Sequence, residues 1–271
     1  MCTGSVMNEK PLTIAVIMLH GGCDMRCRFC ITDAGLDCMT RTDYGKALER
    51  IREQGFQDVV LGGGEPFLWP EGVDYAARTA RKMGFLVQVG TNGVYMPEAD
   101  IHHDSIDRYV LPMDASSAEG HNAVRVFTDT RIWDHYAVIM KRLRQCREWG
   151  RSVTVSTVVS RANLPDIIGI GDFLADYVAS GGRLHAWHLY RFIPRGRGGS
   201  RAARALSITG NEFDRAVHVS RCQNYPYIIY KRPDMRHSAS VDFFWYQNAR
   251  LCVGSEVWHE ARDNSLARMP E

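Results

Sequence analysis

Hydrophobic positions along the chain come in two alternating kinds. Short apolar runs rich in β-branched residues, at Thr13–Leu19, Asp58–Leu61, Leu86–Val89, Tyr109–Met113, Val153–Val159, Leu184–Ile193 and Tyr227–Tyr230, have the length and composition of strands. Between them, Asp43–Gln54, Val73–Met83, Trp133–Trp149, Leu164–Val178 and Glu212–Arg221 repeat apolar residues at helical spacing. Gly55, Gly84, Gly150 and Gly181 follow four of these stretches, where a helix C-cap is expected. The alternation predicts a parallel sheet covered by helices, and a run as uniformly apolar as Val153–Val159 fits a strand buried on both faces. The pattern breaks near Arg195: residues 194–204, PRGRGGSRAAR, read as a Gly/Arg-rich loop. One helix, one strand and the aromatic segment Phe243–Tyr246 follow. The expected fold is α/β, a partial (β/α)6 TIM-like barrel over residues 12–205, with a short C-terminal extension over residues 206–271 packing on the barrel mouth.

A chain of 271 residues, 45% hydrophobic, can bury one large core. Its formal net charge of +2 gives no global reason to expect a polyanion, and no RNA-binding motif or aromatic platform is present, so a nucleic-acid partner is not expected. Ile14–Leu19 is too short to span a bilayer and lacks the flanks of a secretory signal. A cytoplasmic location without a membrane partner is the default expectation. In that reducing setting the eight cysteines read as metal-binding or reactive groups, not as disulfides.

Three of them stand in eight residues, CDMRCRFC: Cys23, Cys27 and Cys30. They lie after the first strand, at the end of a parallel α/β sheet where ligands gather. Three thiols so spaced could hold zinc, with Cys38 or His20 as a fourth ligand, although no second CxxC accompanies them. They could be unrelated free thiols. They could hold an iron–sulfur cluster with one iron left open. After the second strand comes GGGEP, Gly62–Pro66. Its glycines allow a ligand close to the backbone, and its carboxylate can hold an ammonium group.

CxxxCxxC, with aromatic Phe29 before the last cysteine, followed by GGGEP, resembles the signature of the radical S-adenosylmethionine (radical SAM) superfamily. The resemblance implies one [4Fe-4S] cluster on Cys23, Cys27 and Cys30, with S-adenosyl-L-methionine chelating the open iron. It implies that Gly63, Gly64 and Glu65 contact the methionine amino group, and that a 5′-deoxyadenosyl radical abstracts hydrogen from a substrate. Thr91-Asn92-Gly93 is similar to a TNG found in many members. Pro112-Met113-Asp114, then His121 and Arg125, resembles S-L-D-G…H…R; the family's serine is Pro112 here, which leaves Asp114 for the ribose. Ser156, Thr157 and Asn163 fall where relatives bind ribose and carboxylate. Trp187–Gly199, WHLYRFIPRGRGG, resembles the family's sixth-strand segment. The resemblance covers residues 12–205 and also implies an electron donor such as flavodoxin.

Past residue 205 only Cys222 and Cys252 remain, too far apart for a second cluster. With one cluster there is no evident electron sink, so redox-neutral chemistry is expected: epimerisation, rearrangement, cyclisation, decarboxylation or elimination. Either cysteine could return a hydrogen atom to a substrate radical, or be a small buried hydrophobe. Arg191, Arg195 and Arg197, with Arg201 and Arg204, suit phosphate or carboxylate recognition, or form a solvated basic loop. The expected substrate is a small polar metabolite: a sugar, a nucleoside or nucleotide, or a natural-product intermediate. A peptide-modifying member is the alternative, and a non-catalytic zinc or iron–sulfur protein the alternative outside the family.

Overall fold

The computed structural model describes residues 14–32, 35–129, 134–238 and 240–257. Its centre is one nine-stranded sheet. The first six strands are β1 (Ile14–Met18), β2 (Asp58–Gly62), β3 (Leu86–Gly90), β4 (Arg108–Pro112), β5 (Ser152–Val159) and β6 (Arg183–Arg191), each paired in parallel with the next. β7 (Ile228–Arg232) continues the series on β6. The chain then crosses to the other edge, where β8 (Val241–Gln247) pairs in parallel with β1 and β9 (Arg250–Val253) pairs antiparallel with β8. The order is β7-β6-β5-β4-β3-β2-β1-β8-β9. The strands after residue 206 are thus both edges of the same sheet.

Seven helices connect these strands: α1 (Arg41–Glu53), α2 (Val73–Lys82), α3 (Ala118–Val124), α4 (His135–Glu148), α5 (Ile167–Ala179), α6 (Gly196–Leu206) and α7 (Gly210–Arg221). Burial alternates along the strands and explains the layering. In β1, Ala15 and Ile17 are fully buried beneath the helices, against Leu48 and Ile51 of α1. The same core takes in Leu143 of α4, Leu174 of α5 and Phe213 of α7. Each such aliphatic side chain removed from water contributes roughly 1.5–3 kcal/mol. Thr40 and Asp43 form a capping box at α1, Thr209 and Glu212 one at α7, so both helices begin with their orphan N–H groups satisfied. Left-handed turns at the four expected glycines end α1, α2, α4 and α5.

The other face of the sheet is concave. Ile14, Val16 and Met18 of β1 share a cavity of about 910 Å³ with residues from every strand through β8. A sheet in which β7 and β8, seven places apart in the strand order, line one space is rolled, and among the described residues β7 and β9 do not pair, so the barrel is open at that seam. Met235, Arg236 and Ser240, on the crossing from β7 to β8, also line the interior.

One sequence expectation fails here. Residues 194–204 are not a loop: Gly196–Leu206 is helical. Glycine runs weaken helices and read as breaks. These glycines serve contact instead, as a Cβ on Gly198 would lie 2.2 Å from the carbonyl oxygen of Cys27, and one on Gly199 2.7 Å from that of Ile193.

Candidate active site

The loop after β1 carries the three cysteines at the C-terminal end of the sheet. Cys27 is buried, and Cys23 and Cys30 are half-buried. Met25, Phe29, Val124, Phe127, Phe192 and Leu206 pack around them. The first turn of α6 closes onto this loop: the N–H groups of Gly198 and Gly199 donate to the Cys30 carbonyl at 3.1 and 3.2 Å, and that of Arg197 to Thr32 at 3.2 Å. This is where the orphan amides of the α6 N-terminus go.

Two guanidinium groups reach the sulfurs. Arg197 Nε donates to Cys30 Sγ at 3.3 Å, and its Nη1 to the Gly21 carbonyl at 2.7 Å. Arg125 Nη1 donates to Cys27 Sγ at 3.7 Å, its Nε to Asp114 Oδ2 at 2.7 Å, and its charge sits 4.7 Å from the centre of the Phe29 ring. Burial pushes the Cys23 thiol up to about 12 and raises Cys27 as well. Such thiols become thiolates only beside strong positive charge, which iron supplies. Among the described residues no three His, Cys, Asp or Glu side chains gather about a single-ion position. A buried three-thiol loop with cationic donors on two sulfurs fits a multi-iron anionic cluster.

GGGEP lies beside this loop. The N–H of Gly64 donates to the His20 carbonyl at 2.7 Å and that of Glu65 to Gly22 at 2.8 Å. Gly63 has φ +120°, and a Cβ on Gly64 would fall 1.8 Å from the Gly22 carbonyl oxygen, so neither position accepts a side chain. Glu65 is fully buried. Its carboxylate accepts from Thr91 Oγ1 and the Asn92 N–H, both at 2.7 Å, and from the Phe67 N–H at 3.2 Å. Burial outweighs these bonds and pushes its carboxyl up to about 7. An ammonium group placed beside it would restore the ionised form. Thr91 and Asn92 therefore meet Glu65, and Asn92 Nδ2 also donates to Asp24 Oδ1 at 2.7 Å.

The remaining expected residues divide. Asp114 is fully buried with both oxygens engaged, one by Arg125 and the other by the Val158 N–H at 2.8 Å. Asn163 is a brace: its amide donates to the carbonyls of Asp114 and Val158, each at 2.9 Å, and accepts from the Ser160 N–H at 2.8 Å. Ser156 stands half-buried on β5, in register with Pro112 and His188. Thr157 is buried and accepts from Trp187 Nε1 at 2.8 Å. Arg191 lines the interior cavity, whereas Arg195 is exposed at the start of α6 and does not. Cys222 is exposed at the C-cap of α7, on the outer helical layer, and is not brought to the cysteine loop. Cys252 is half-buried opposite Trp245, which lines the interior; residues paired across strands share a face, so Cys252 lies on the concave side at the sheet's edge.

Two features lie beyond the motifs, although His121 belongs to the stretch that resembles S-L-D-G…H…R. His121 and His135 are fully buried and joined at 2.8 Å between Nε2 and Nδ1. The Asp114 N–H donates to His121 Nδ1 at 3.1 Å, so the proton is on Nε2; His135 then donates from Nε2 to the Asn92 carbonyl at 2.8 Å. Burial pushes both rings down to about 3, so the pair is neutral and ties the end of β4 to the end of β3. The second feature is Asp24 Oδ2, buried beside Cys23 with no hydrogen-bond partner among the described residues.

The family model described as the Radical SAM superfamily matches residues 17–174, more than half of the chain. An S-adenosylmethionine-dependent nucleotide dehydratase of Flammeovirga pacifica is 23% identical over 206 residues, 72% of this chain and 68% of its own. A second protein of that description, from the Thermoplasmatales archaeon strain ISO4-H5, is 30% identical over 89 residues, 31% of this chain and 30% of its own. Among solved structures, Streptococcus suis SuiB bound to S-adenosylmethionine matches with a TM-score of 0.62 at 12% identity, over 83% of this chain and 51% of its own. The anSMEcpe structure with bound AdoMet matches at 0.59 and 14% identity, over 81% of this chain and 64% of its own. This chain thus spans about half the length of SuiB. No helix among the described residues is long and apolar enough to cross a membrane. With the motifs on successive strands of the matching fold, the chain belongs to the radical SAM superfamily, enzymes that use S-adenosylmethionine and a [4Fe-4S] cluster for radical chemistry.

Proposed function

We propose that this enzyme abstracts a hydrogen atom from a small anionic molecule, a nucleotide or sugar phosphate, held in the barrel interior, in a reaction without net oxidation. Cys23, Cys27 and Cys30 would hold the cluster, and Gly63, Gly64 and Glu65 the methionine end of S-adenosylmethionine. When bound, these cofactors supply a 5′-deoxyadenosyl radical. The protein's own part is to bind the substrate, orient it and exclude water.

The observation that carries the substrate class is the charge of the interior. Arg191 and Arg232 face it with no ion pair among the described residues, while Arg108 feels the charge of Asp58, the one acidic side chain among the described residues of its wall. Arg232 donates from Nη1 to Ser240 at 2.9 Å, but its buried Nε has no partner among the described residues. A buried guanidinium donor left open is costly unless an anion completes it. Phe29, Ile31 and Thr32 of the cysteine loop border the same cavity. The names of the two nucleotide dehydratases agree with a phosphorylated substrate. The likeness to SuiB and anSMEcpe, at 12% and 14% identity, bears on fold alone and does not favour a peptide.

The test measures 5′-deoxyadenosine release from reconstituted enzyme with nucleotides, sugar phosphates and peptides. Release should depend on a phosphorylated molecule, and Cys27→Ala should abolish it together with iron uptake. Arg232→Gln should raise the KM for that molecule about ten-fold or more, as loss of a charged hydrogen bond does, while leaving S-adenosylmethionine binding intact. Release driven by a peptide, or by an uncharged molecule with unchanged KM in Arg232→Gln, refutes the substrate class.

A further inference from the structure

The three thiols do not share one electrostatic setting. Cys23 lies beside an acid, its sulfur 3.8 Å from Asp24 Oδ1. Arg125 reaches Cys27, but its charge is paired with Asp114, a fully buried acid 2.7 Å from its Nε. At Cys27 the charges of Arg125 and Asp114 therefore pull in opposite directions. Arg197 differs from both. Its Nε donates to Cys30 Sγ at 3.3 Å and its Nη1 to the neutral Gly21 carbonyl at 2.7 Å. No carboxylate pairs with it among the described residues. Burial acts to lower the Arg197 guanidinium, yet it stands above its ordinary value because Cys30, Cys23 and Cys27 raise it. Of the charged groups around the thiols, this is the cation that acts on all three and is not offset by an acid of its own.

Its place is fixed by backbone contacts. Gly196 has φ +73°, and a Cβ there would lie 2.3 Å from the Ile31 carbonyl carbon, so the chain before Arg197 is pressed against the cysteine loop. The Arg197 N–H donates to the Thr32 carbonyl at 3.2 Å. The main chain of Arg197 is thus clamped to the same loop whose thiol its side chain reaches. It is half-buried, whereas Arg26, Arg28 and Arg201 nearby are exposed and screened by water and salt. A fixed cation stabilises an anionic cluster more after it has gained an electron than before, so charge and hydrogen bonds at the sulfurs set its potential. We propose that Arg197, acting through Cys30, raises the reduction potential of the cluster held by Cys23, Cys27 and Cys30, and that its positive charge does this more than its hydrogen bond. This rests on the reading of these cysteines as cluster ligands. One electron enters the cluster from a reductant. No bond at Arg197 forms or breaks, and its guanidinium is protonated before and after. Arg197 is a positioning residue for the electron, not a catalytic one.

The test uses wild type, Arg197→Gln and Arg197→Lys, each reconstituted anaerobically without S-adenosylmethionine and assayed first for iron. Each is then titrated with dithionite at set potentials, and the reduced cluster is read by electron paramagnetic resonance at pH 7 and pH 8.5. Arg197→Gln keeps an N–H donor but loses the charge. At the wild-type midpoint its ratio of reduced to oxidised cluster should fall about ten-fold, a drop of about 59 mV for one electron. Arg197→Lys keeps the charge and should lie closer to wild type than to Arg197→Gln. The difference between Arg197→Gln and wild type should be the same at both pH values, because a guanidinium does not titrate there. A wild-type midpoint in Arg197→Gln overturns the proposal. So does an Arg197→Lys midpoint as low as that of Arg197→Gln, which would make the contact one of shape. If wild type takes up iron and both variants do not, Arg197 only seats the loop, and the proposal is again overturned. A wild type that takes up no iron refutes the cluster reading itself.

Discussion

Glu65 offers the sharpest test of how this site is held together. Its carboxylate is fully buried, and three donors contact it, none of them charged. The result is a carboxyl raised from 4.5 to about 7. A raised carboxyl means that between these values the folded chain keeps a proton that the unfolded chain has lost. Its contribution to stability is therefore complete below the unfolded value and is lost as pH rises through the folded one. Integrating proton uptake over that shift gives a loss of about 2.5 kcal/mol between pH 5 and pH 8. The buried histidines oppose it. His121, His135 and His188 are pushed down to about 3, so folding must discharge them below about 6.5, and their contribution grows as pH rises to that value. Wild type alone therefore mixes two opposite slopes. Glu65→Gln separates them, because it keeps the shape and an amide in place of the acid but cannot ionise. Urea unfolding of cofactor-free wild type and Glu65→Gln should be run at pH 5, 6, 7 and 8. Stability of the variant relative to wild type should climb by about 2.5 kcal/mol across that range, while S-adenosylmethionine binding by the reconstituted variant falls. A relative stability that stays flat with pH would falsify the account of Glu65 as a carboxylate awaiting a cation.

Gly198→Ala puts a Cβ 2.2 Å from the Cys27 carbonyl oxygen and 2.8 Å from the Cys30 amide nitrogen, both backbone atoms that cannot turn aside. Iron uptake on anaerobic reconstitution should fall several-fold in this variant with helix content retained, and full uptake would show that α6 does not seat the loop. His135→Leu leaves His121 Nε2–H and the Asn92 carbonyl unsatisfied in the core, and should lower stability by about 2–4 kcal/mol. Chemical denaturation reads this directly, and a loss below about 1 kcal/mol would mean the pair is not the tie between β3 and β4.

Residues close in sequence made most of the fold and half of the site readable. β1 to β7 announce themselves because each is a local apolar run, and α1, α2, α4, α5 and α7 because each has a helical apolar stripe beneath a covering layer. The cysteine loop and GGGEP are equally local, and parallel topology alone puts both at one end of the sheet. Where two segments meet, the pattern fails. The glycines of α6 argue against a helix if counted as propensities, and for one only when the Cys27 carbonyl is known to lie against them. Arg125 and Arg197 are 98 and 167 residues from the sulfurs they touch, so although both fall in family-like stretches, nothing local pairs them with Cys27 and Cys30. Asn163 has the residue type of a cofactor ligand, yet its amide is used up in bracing Asp114 and Val158. Cys252 shows the same limit most fully. Its place on the concave face follows from its register with Trp245, that register from β8 lying beside β1, and that from a chain that crosses the open seam of the barrel. A crossover has no period of its own; it is fixed by which sheet edge still lacks a partner, a property of the assembled strands and of no single stretch of sequence.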